Sequence, residues 1–228
     1  MIANNIATSG GAEPHGVQTF TEDGTFIVPD KVTKIWVTAC GGGGGGELHD
    51  TGNGGGGAAC IVHQIFSVEG IGSLNITVGK GGTAGFYSSG SPKNTDGEAT
   101  IIGDLVTLPG GYRGRSDTST TPGRKPNGGY GGIGYHVVSG ETTTCEKRLG
   151  GAGCYLIGRD TYAAPFDELA GSTDYGGDGG SSLGIGGRGG SYYSNTRYTN
   201  ATNAGYGAGG GGGEGATKGG DGIVIIEW

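Results

Sequence analysis

The sequence predicts an all-β protein, a small β-sandwich that carries an inserted glycine-rich array and long loops. Short β-branched and aromatic segments recur through the first 108 residues, and the chain has no helix-forming stretch of useful length. It ends in another such segment, Ile223 to Trp228. Between the two ends glycine dominates, and Gly makes up 59 of the 228 residues. These three observations indicate strands at both ends and a different kind of interior between them.

The predicted strands are short and are bounded by turn residues. Thr19 to Thr21 and Gly24 to Val28 flank Glu22-Asp23-Gly24, which predicts a β-hairpin. Glu98 to Leu108 predicts a second pair of strands, with its turn at Gly103-Asp104. Three more strands are predicted at Val32 to Cys40, Ala58 to Val68 and Leu74 to Val78. This spacing is typical of a small β-sandwich or barrel.

The apolar residues are concentrated at the two ends of the chain. Of the 40 Leu, Ile, Val and Phe residues, 26 lie in residues 1–108 and four lie in the last six residues. If the closing strand pairs with the early strands, the middle is an insertion held at both ends. We therefore predict a leader or attachment peptide at 1–17 and one glycine-rich domain at 18–228. Within that domain, 18–109 and 222–228 are predicted to form the β part and 110–221 the glycine-rich part.

The glycine runs indicate how the middle is packed. Six glycines follow Cys40 directly, and Gly177, Gly180, Gly186 and Gly189 share one three-residue register. Three residues per turn is the period of the polyproline II helix, which makes no internal hydrogen bonds. Its backbone groups must bond elsewhere, and without side chains several such helices can lie side by side and bond laterally. This favours a stacked polyglycine II array; a disordered linker, usual for glycine-rich sequence, is the alternative.

Several blocks of the sequence resemble a known family. They are TFTEDGTFIVPDKVTKIWVTACGGGGGG, NITVGKGG, GEATIIGDLVTLPGG and GGDGIVIIEW. Over residues 18–111 and 205–228 they resemble the glycine-rich domain of tail-fibre and other virion proteins of tailed phages. The stacked glycine helices are similar to those of the distal adhesins of T-even-like phages, which touch a bacterial surface receptor with the loops between the helices. The resemblance implies a virion protein of the tail or fibre tip, made in the host cytoplasm, either as one copy on a trimeric fibre or as a homotrimer.

Composition and motifs argue against several other functions. A net charge of −7 without a basic stripe argues against nucleic-acid binding. No apolar run approaches the roughly 20 residues that span a bilayer, so no membrane insertion is expected. GYGAGG and GIGGRG match GxGxxG, but neither lies between a strand and a helix, and such matches are expected by chance at this glycine content. We predict no catalytic residues, no cofactor and no metal, and Glu47, His49 and Asp50 are interpreted as solvated loop residues.

The four cysteines form no CxxC pair. Lone cysteines are most often buried apolar residues, so Cys40, Cys60, Cys145 and Cys154 are predicted to be reduced and packed. A bridge between Cys145 and Cys154 is the alternative if the protein meets an oxidising medium.

Tyrosine and arginine are concentrated in the segments between the glycine runs. Ten of the eleven tyrosines lie between Tyr112 and Tyr206. Tyrosine gives large, stiff contact area, and loops on a rigid scaffold are common binding sites. Covering the open edge of the glycine array is the alternative role for any one of them. The predicted receptor-binding residues, in loops 112–127, 155–175 and 191–206, are Tyr112, Arg113, Arg115, Tyr155, Arg159, Tyr162, Tyr175, Tyr192, Tyr193, Arg197 and Tyr198.

The sequence therefore predicts a non-enzymatic phage adhesin. Its partners would be a bacterial outer-surface protein or polysaccharide and other tail or fibre proteins. The leading alternative is a structural virion protein, a decoration or tail-cap subunit that does not touch the host. A hydrolase that trims surface polysaccharide is a third interpretation.

Overall fold

The computed structural model is all-β, as predicted, and its described residues form no helix. It describes residues 15–48, 54–88, 91–92, 94–114, 135–138, 141–144, 154–157, 160–163, 179, 182–187, 203–213 and 215–228. The strands are β1 (Val17–Phe20), β2 (Gly24–Ile27), β3 (Lys34–Cys40), β4 (Glu47–Leu48), β5 (Cys60–Ser67), β6 (Ser73–Thr77), β7 (Gly85–Ser88), β8 (Ser91–Pro92), β9 (Thr100–Ile102), β10 (Val106–Leu108), β11 (Tyr135–Val138), β12 (Glu141–Thr144), β13 (Cys154–Ile157), β14 (Asp160–Ala163) and β15 (Ile223–Glu227).

Two antiparallel sheets of four strands share one hydrophobic core. The first sheet has the antiparallel strands β1-β15-β3-β5 and is extended past β5 by β13 and β14, and the second has the order β10-β9-β6-β2. In β6, Leu74 and Ile76 are buried while their neighbours are exposed, which is the period of two expected for a half-buried strand. β13 pairs in parallel with β5, and β14 pairs with β13. Both sheets contribute to a single buried cluster that includes Phe26, Ile35, Val37, Ile76, Ile102, Leu108, Val224 and Ile226.

The closing strand β15 lies between β1 and β3, which confirms the predicted pairing of the two apolar ends. Gly16 and Trp228 exchange two backbone hydrogen bonds, of 2.9 and 3.0 Å. The Trp228 ring packs against Phe26 with 5.2 Å between the ring centroids. The folded chain therefore includes Gly16 and Val17, which the sequence predicts as the end of a leader. Residues 1–14 lie outside the described residues.

The prediction of a hairpin around Glu22-Asp23-Gly24 is wrong. β1 pairs with β15 in the first sheet, whereas β2 pairs with β6 in the second. The turn carries the chain from one sheet to the other, and Asp23 Oδ1 accepts a hydrogen bond from Val78 N–H at 2.8 Å. A turn signal marks a change of direction without showing which strands will bond. The pair predicted around Gly103 is confirmed, because β9 and β10 form an antiparallel hairpin.

Seven glycine-rich segments, here called threads, are joined to one another by backbone hydrogen bonds. The central thread (41–46) follows β3. Three outgoing threads run parallel to the central thread, and three returning threads run antiparallel to it. The outgoing threads are 79–84, 109–114 and 205–213, and the returning threads are 54–59, 94–98 and 217–222.

The hydrogen bonds that the central thread donates repeat every three residues. The N–H groups of 41 to 46 donate, in order, to the carbonyls of Ala59, Glu98, Gly220, Gly56, Thr95 and Thr217, over 2.8–3.1 Å. Each returning thread thus receives every third bond, which is the repeat that a helix of three residues per turn imposes on lateral bonds. The carbonyls of Gly42, Gly43 and Gly44 accept from the three outgoing threads, at Gly111, Gly82 and Gly210. Six threads therefore surround the central one.

Donation between backbones follows one scheme through most of the array. The central thread donates to returning threads, returning threads donate to outgoing threads, and outgoing threads donate to the central thread. Gly207 is an exception, because its N–H donates to the carbonyl of Asp221 on a returning thread at 3.0 Å. Each returning thread divides its bonds between two outgoing neighbours, as Gly55 and Gly56 do when they donate to Gly210 and Tyr112. Parallel and antiparallel neighbours therefore alternate around the central thread, and the buried N–H groups find acceptors on different sides.

The predicted division of the domain places the array within 110–221, but the array extends beyond that range. The central thread and four of its six neighbours come from residues before 115. Six of the seven threads continue a strand or lead into one, so strands and threads alternate along much of the described chain. The thread 205–213 is instead followed by the thread 217–222. Residues 182–187 add a further thread outside 205–213, through bonds from Gly184 to Tyr206 and from Gly187 to Gly209. Of the predicted three-residue register, Gly186 lies on this thread, and Gly177, Gly180 and Gly189 lie outside the described residues.

Cys40 and Cys60 stand opposite each other on β3 and β5, and both are buried, reduced thiols, as predicted. Burial raises the pKa of Cys40 to about 12, and hydrogen bonds involving Ile223 and Ser182 offset this only in part. The alternative of a Cys145–Cys154 bridge rests on Cys145, which lies outside the described residues.

Gly43→Ala should strongly destabilise the protein. A Cβ on Gly43 would overlap the backbone carbonyl of Ala208, and backbone cannot swing aside as the end of a side chain can. We expect the free energy of unfolding to fall by about 3 kcal/mol or more. Gly72→Ala is the matched control, because a Cβ there meets nothing within 4 Å. This control should leave the free energy unchanged or raise it by up to about 1 kcal/mol. Urea denaturation measures both, and equal losses would contradict a close-packed central thread.

The thiols of Cys40 and Cys60 should resist alkylation in the folded protein. Alkylation needs both an accessible sulfur and the thiolate. Both sulfurs are buried, and burial also raises the pKa of Cys40. We expect iodoacetamide at about pH 8 to label the peptides that contain these residues only after urea is added. Mass spectrometry of the digested protein measures the labelling. Rapid labelling of both peptides without urea would contradict the burial.

Candidate functional site

The array has two different ends, because its threads connect to the sheets at one end only. At this near end the central thread leaves β3, an outgoing thread leaves β10, and returning threads enter β5, β9 and β15. The buried side chain of Thr100 ties the near end together. Its Oγ1 donates to the carbonyl of Cys40 at 2.8 Å and accepts from Gly79 N–H at 2.9 Å. The near end is thus fixed to both sheets.

The far end of the array lies at the opposite termini of the threads. Segments 47–53, 85–93 and 214–216 each join two consecutive threads there, and the chain beyond residue 114 starts there. Gly213 N–H donates to the carbonyl of Glu47 at 2.9 Å, and Asn94 Nδ2 donates to the carbonyl of Gly114 at 2.6 Å. The short ladder β4-β7-β8 lies at the same end. The far end is therefore where inter-thread segments meet.

Side chains close the flanks of the array, where outgoing threads meet returning threads. An outgoing thread directs only every third N–H to the central thread, so its other N–H groups need acceptors. The N–H groups of Lys80, Gly81, Thr83, Arg113 and Gly211 donate to Glu98 Oε2, Asp221 Oδ1, Thr95 Oγ1, Asp96 Oδ1 and Thr217 Oγ1. The sequence pattern alone did not predict these roles. Two of the acceptors, Thr217 and Asp221, lie near glycines, but Thr95, Asp96 and Glu98 lie in NTDGE, where no glycine run marks the thread.

Asp221 is the flank acceptor two residues before β15. Its carboxylate accepts from Gly81 N–H at 2.8 Å and from Lys218 Nζ at 3.2 Å. Burial raises the pKa of this carboxyl, but the Gly81 bond and the positive charge of Lys218, helped by Lys80, outweigh burial and hold the pKa below the ordinary 3.8. The ionised form of Asp221 therefore stabilises the joint between the closing strand and the array.

Tyr112 and Arg113 are the two predicted receptor-binding residues whose side chains are described. They lie in the far half of the outgoing thread 109–114. The Tyr112 side chain is 42 % exposed, while its carbonyl accepts from Gly56 N–H. Arg113 Nε is buried and has no hydrogen-bond partner among the described residues. Tyr112 combines a fixed backbone with an exposed ring, which suits contact with a partner.

Two other candidates, Tyr155 and Tyr162, lie on described strands away from the thread that carries Tyr112. Tyr155 and Tyr162 stand opposite each other on β13 and β14, beside β5 and therefore near the sheets. Tyr206, which ends the predicted loop 191–206, is 48 % exposed and lies at the near end, where its carbonyl accepts from Gly184. The remaining candidates lie outside the described residues: Arg115, Arg159, Tyr175, Tyr192, Tyr193, Arg197 and Tyr198.

Metal-binding and membrane-spanning features are absent from the described part of the chain. No group of three or more His, Cys, Asp or Glu side chains there is placed to hold a metal ion. Of the trio considered above, Glu47 is buried at the far end, and His49 and Asp50 lie outside the described residues. Within the same described ranges no helix is long and apolar enough to cross a membrane.

Asp221→Asn should reduce the acid sensitivity of the fold. Because the folded pKa lies below the unfolded value, the carboxylate contributes stability above about pH 4 that is lost as the pH falls through the folded pKa. We expect the wild type to lose up to about 1 kcal/mol more than the variant on acidification, since the carboxylate is partly exposed. Thermal unfolding between about pH 6 and pH 2 measures the difference. Asp104→Asn, in the exposed β9–β10 turn, is the control, and identical pH profiles for wild type and Asp221→Asn would contradict the assignment.

Comparison with known proteins gives one family. The model of the glycine-rich domain family matches residues 19–228. No curated protein matches the chain. The match begins in β1 and ends at the last residue, so it includes both sheets and all seven threads. The chain therefore belongs to the glycine-rich domain family.

Proposed function

We propose that this chain is a receptor-binding adhesin of a phage tail or tail fibre, and that the far end of the thread array is its binding surface. The threads act as polyglycine II helices that hold the binding segments in place. The partner is a bacterial outer-surface protein or polysaccharide. The sheets and the near end attach the domain to other tail or fibre proteins.

The two ends of the array support this proposal. Segments 47–53 and 85–93 begin and end on threads whose backbones are bonded on several sides, so they leave a rigid base. A partner that binds such segments has less backbone to order than one that binds a free tail. Their sequences, ELHDTGN and GFYSSGSPK, combine aromatic, hydroxyl, amide and glycine residues, a composition typical of recognition loops.

The observation that carries the proposal is the exposed ring of Tyr112 on a hydrogen-bonded thread. Tyrosine is among the residues most often responsible for binding energy at interfaces. The N–H of the next residue, Arg113, bonds to Asp96 at 2.8 Å, which helps to fix the backbone. The Tyr112 ring is therefore carried on a fixed backbone and is available to a partner.

A structural virion protein is the second candidate, and one surface feature favours it. Val17 and Ile65 are exposed and Trp36 is half-buried on the outer face of the first sheet, an apolar surface that suits contact with a neighbouring protein. Cell binding separates the candidates. A purified adhesin binds susceptible bacteria and competes with phage for adsorption, whereas a structural subunit does neither and still enters particles normally.

Tyr112→Ala should weaken binding of the purified protein to susceptible bacteria by about tenfold or more, because truncating a central interface tyrosine commonly costs about 2 kcal/mol. Its melting temperature should stay the same, since the ring is exposed. Tyr206→Ala is the matched control: it removes the same side chain, at similar exposure, from the near end. We expect this control to keep full binding, as measured by flow cytometry with labelled protein.

Equal loss of binding in both variants, or loss in neither, would contradict the far-end assignment. The candidates outside the described residues are tested by exchanging 191–206 for the corresponding segment of a relative. A switch in host range would support their role, and an unchanged host range would remove them from the binding surface.

A further inference from the structure

We propose that two copies of this chain associate through the open edge of β1, so that their first sheets join into one continuous sheet. β1 is the terminal strand of the first sheet. It has β15 on one side and, within the described ranges, no strand on the other. The proposal is independent of the adhesin function.

The hydrogen bonds of β1 identify the groups that face this edge. Gly16 and Trp228 donate to each other's carbonyls, so they are a hydrogen-bonded pair. Bonded and non-bonded pairs alternate along an antiparallel ladder, which places the next bonded pairs at Gln18–Ile226 and Phe20–Val224.

The N–H and C=O groups of Val17 and Thr19 therefore point away from β15. No other described residue donates to them or accepts from them. A strand edge with unpaired backbone groups is a template for a further strand.

β1 also lacks several of the features that usually block an edge strand. Its four residues, VQTF, include no proline, glycine or charged residue, although Glu22-Asp23 follows closely. At the edges of the second sheet, β2 contains Gly24 and is followed closely by Pro29-Asp30-Lys31, and β10 has three residues and is followed by Pro109. Among these edges, β1 is the one best suited to strand addition.

The sequence of β1 fits a second copy of itself in the antiparallel direction. A twofold axis through Gln18 places Val17 opposite the partner's Thr19, and Thr19 opposite the partner's Val17. Both become hydrogen-bonded pairs, because the backbone groups of both residues face the edge. Val and Thr are both β-branched, which favours their packing as cross-strand neighbours. The Gln18 amide meets the partner's Gln18 and can donate and accept across the axis.

Exposed apolar side chains extend this surface across the first sheet. Val17 pairs with Glu227, Glu227 pairs with Trp36, and Trp36 pairs with Ile65. These pairings place Val17, Trp36 and Ile65 in one row on the outer face. Val17 is 59 % exposed and Ile65 is 51 % exposed. Joining two β1 strands removes Val17 from water and continues the row into the partner.

Sedimentation equilibrium and amide hydrogen exchange of the full chain test the proposal. We expect a monomer–dimer equilibrium between about 1 μM and about 500 μM, because an edge contact of this size is smaller than a standard interface. In the dimer the amides of Val17 and Thr19 should exchange at least about tenfold more slowly than in the monomer. The amides of Gln18 and Phe20 already bond to β15 and are the internal control, so their exchange should not depend on concentration.

Two edge variants sharpen the test. Thr19→Pro removes an edge-facing N–H, and Val17→Lys places a charge at the joint. Each should raise the dimer dissociation constant by about tenfold or more. Ile27→Lys, at a 65 % exposed position on β2, is the control and should leave the constant unchanged. If Thr19→Pro fails to fold, Val17→Lys and the exchange pattern still decide the question.

A protein that stays monomeric over the whole range overturns the proposal. So does a trimer, or a dimer in which Val17 and Thr19 exchange as fast as in the monomer. A dimer with the expected exchange pattern that binds no bacteria would contradict the proposed function and still support the proposed interface.

Discussion

The lateral hydrogen bonds of the central thread constrain the rest of the fold. Residues 41–46 have neither side chains to bury nor internal hydrogen bonds, so each buried N–H needs an acceptor on another thread. Leaving one such group unpaired costs about 1–3 kcal/mol. Because successive N–H groups point in three directions, the chain must supply neighbours on all sides, with opposite directions alternating around the centre. The repeated passage of the chain from sheet to far end and back follows from this requirement.

The sheets make the array possible by fixing its near end. Ordering glycine costs more backbone entropy than ordering any other residue, so an isolated array of this kind would be expensive to form. Here the threads leave or enter strands that are already held by a common apolar core, and Thr100 bonds to Cys40 and Gly79 where the two parts meet. Side chains are placed mainly where they accept outward-facing N–H groups, as Asp96 and Asp221 do.

Much of the strand content could be predicted from the sequence, because half-buried strands leave a period of two. Leu74 and Ile76 show this alternation, and the apolar run of β15 indicated its place beside the early strands. The partner of β1 could not be predicted, since the signal at Glu22-Asp23-Gly24 is local and the pairing with β15 spans most of the chain. The interleaving of threads and strands was missed for a similar reason: a glycine run carries no side-chain pattern to show which other run it contacts.

Of the candidate site, composition could indicate residues such as Tyr112 and Arg113 but not where along the array they lie. That position depends on long-range bonds between threads, such as Gly44 to Gly56 and Gly210 to Gly44. Tyr112 and Tyr206 are alike in residue type and exposure, and both lie on outgoing threads. They differ in position, because Tyr206 lies near the start of its thread and Tyr112 lies in the far half of its own.

Neighbouring threads at the far end also bear on how the family can diversify. The two threads that flank 47–53 are bonded to each other, as are those that flank 85–93 and those that flank 214–216. Insertions between them leave the bonds between the threads in register, and doubling the length of such a connection costs only about 0.6 kcal/mol in closure entropy. The connections can therefore lengthen or change beyond the short β4–β7 pairing that joins two of them, so variation can accumulate at one tip while the interior is conserved by geometry.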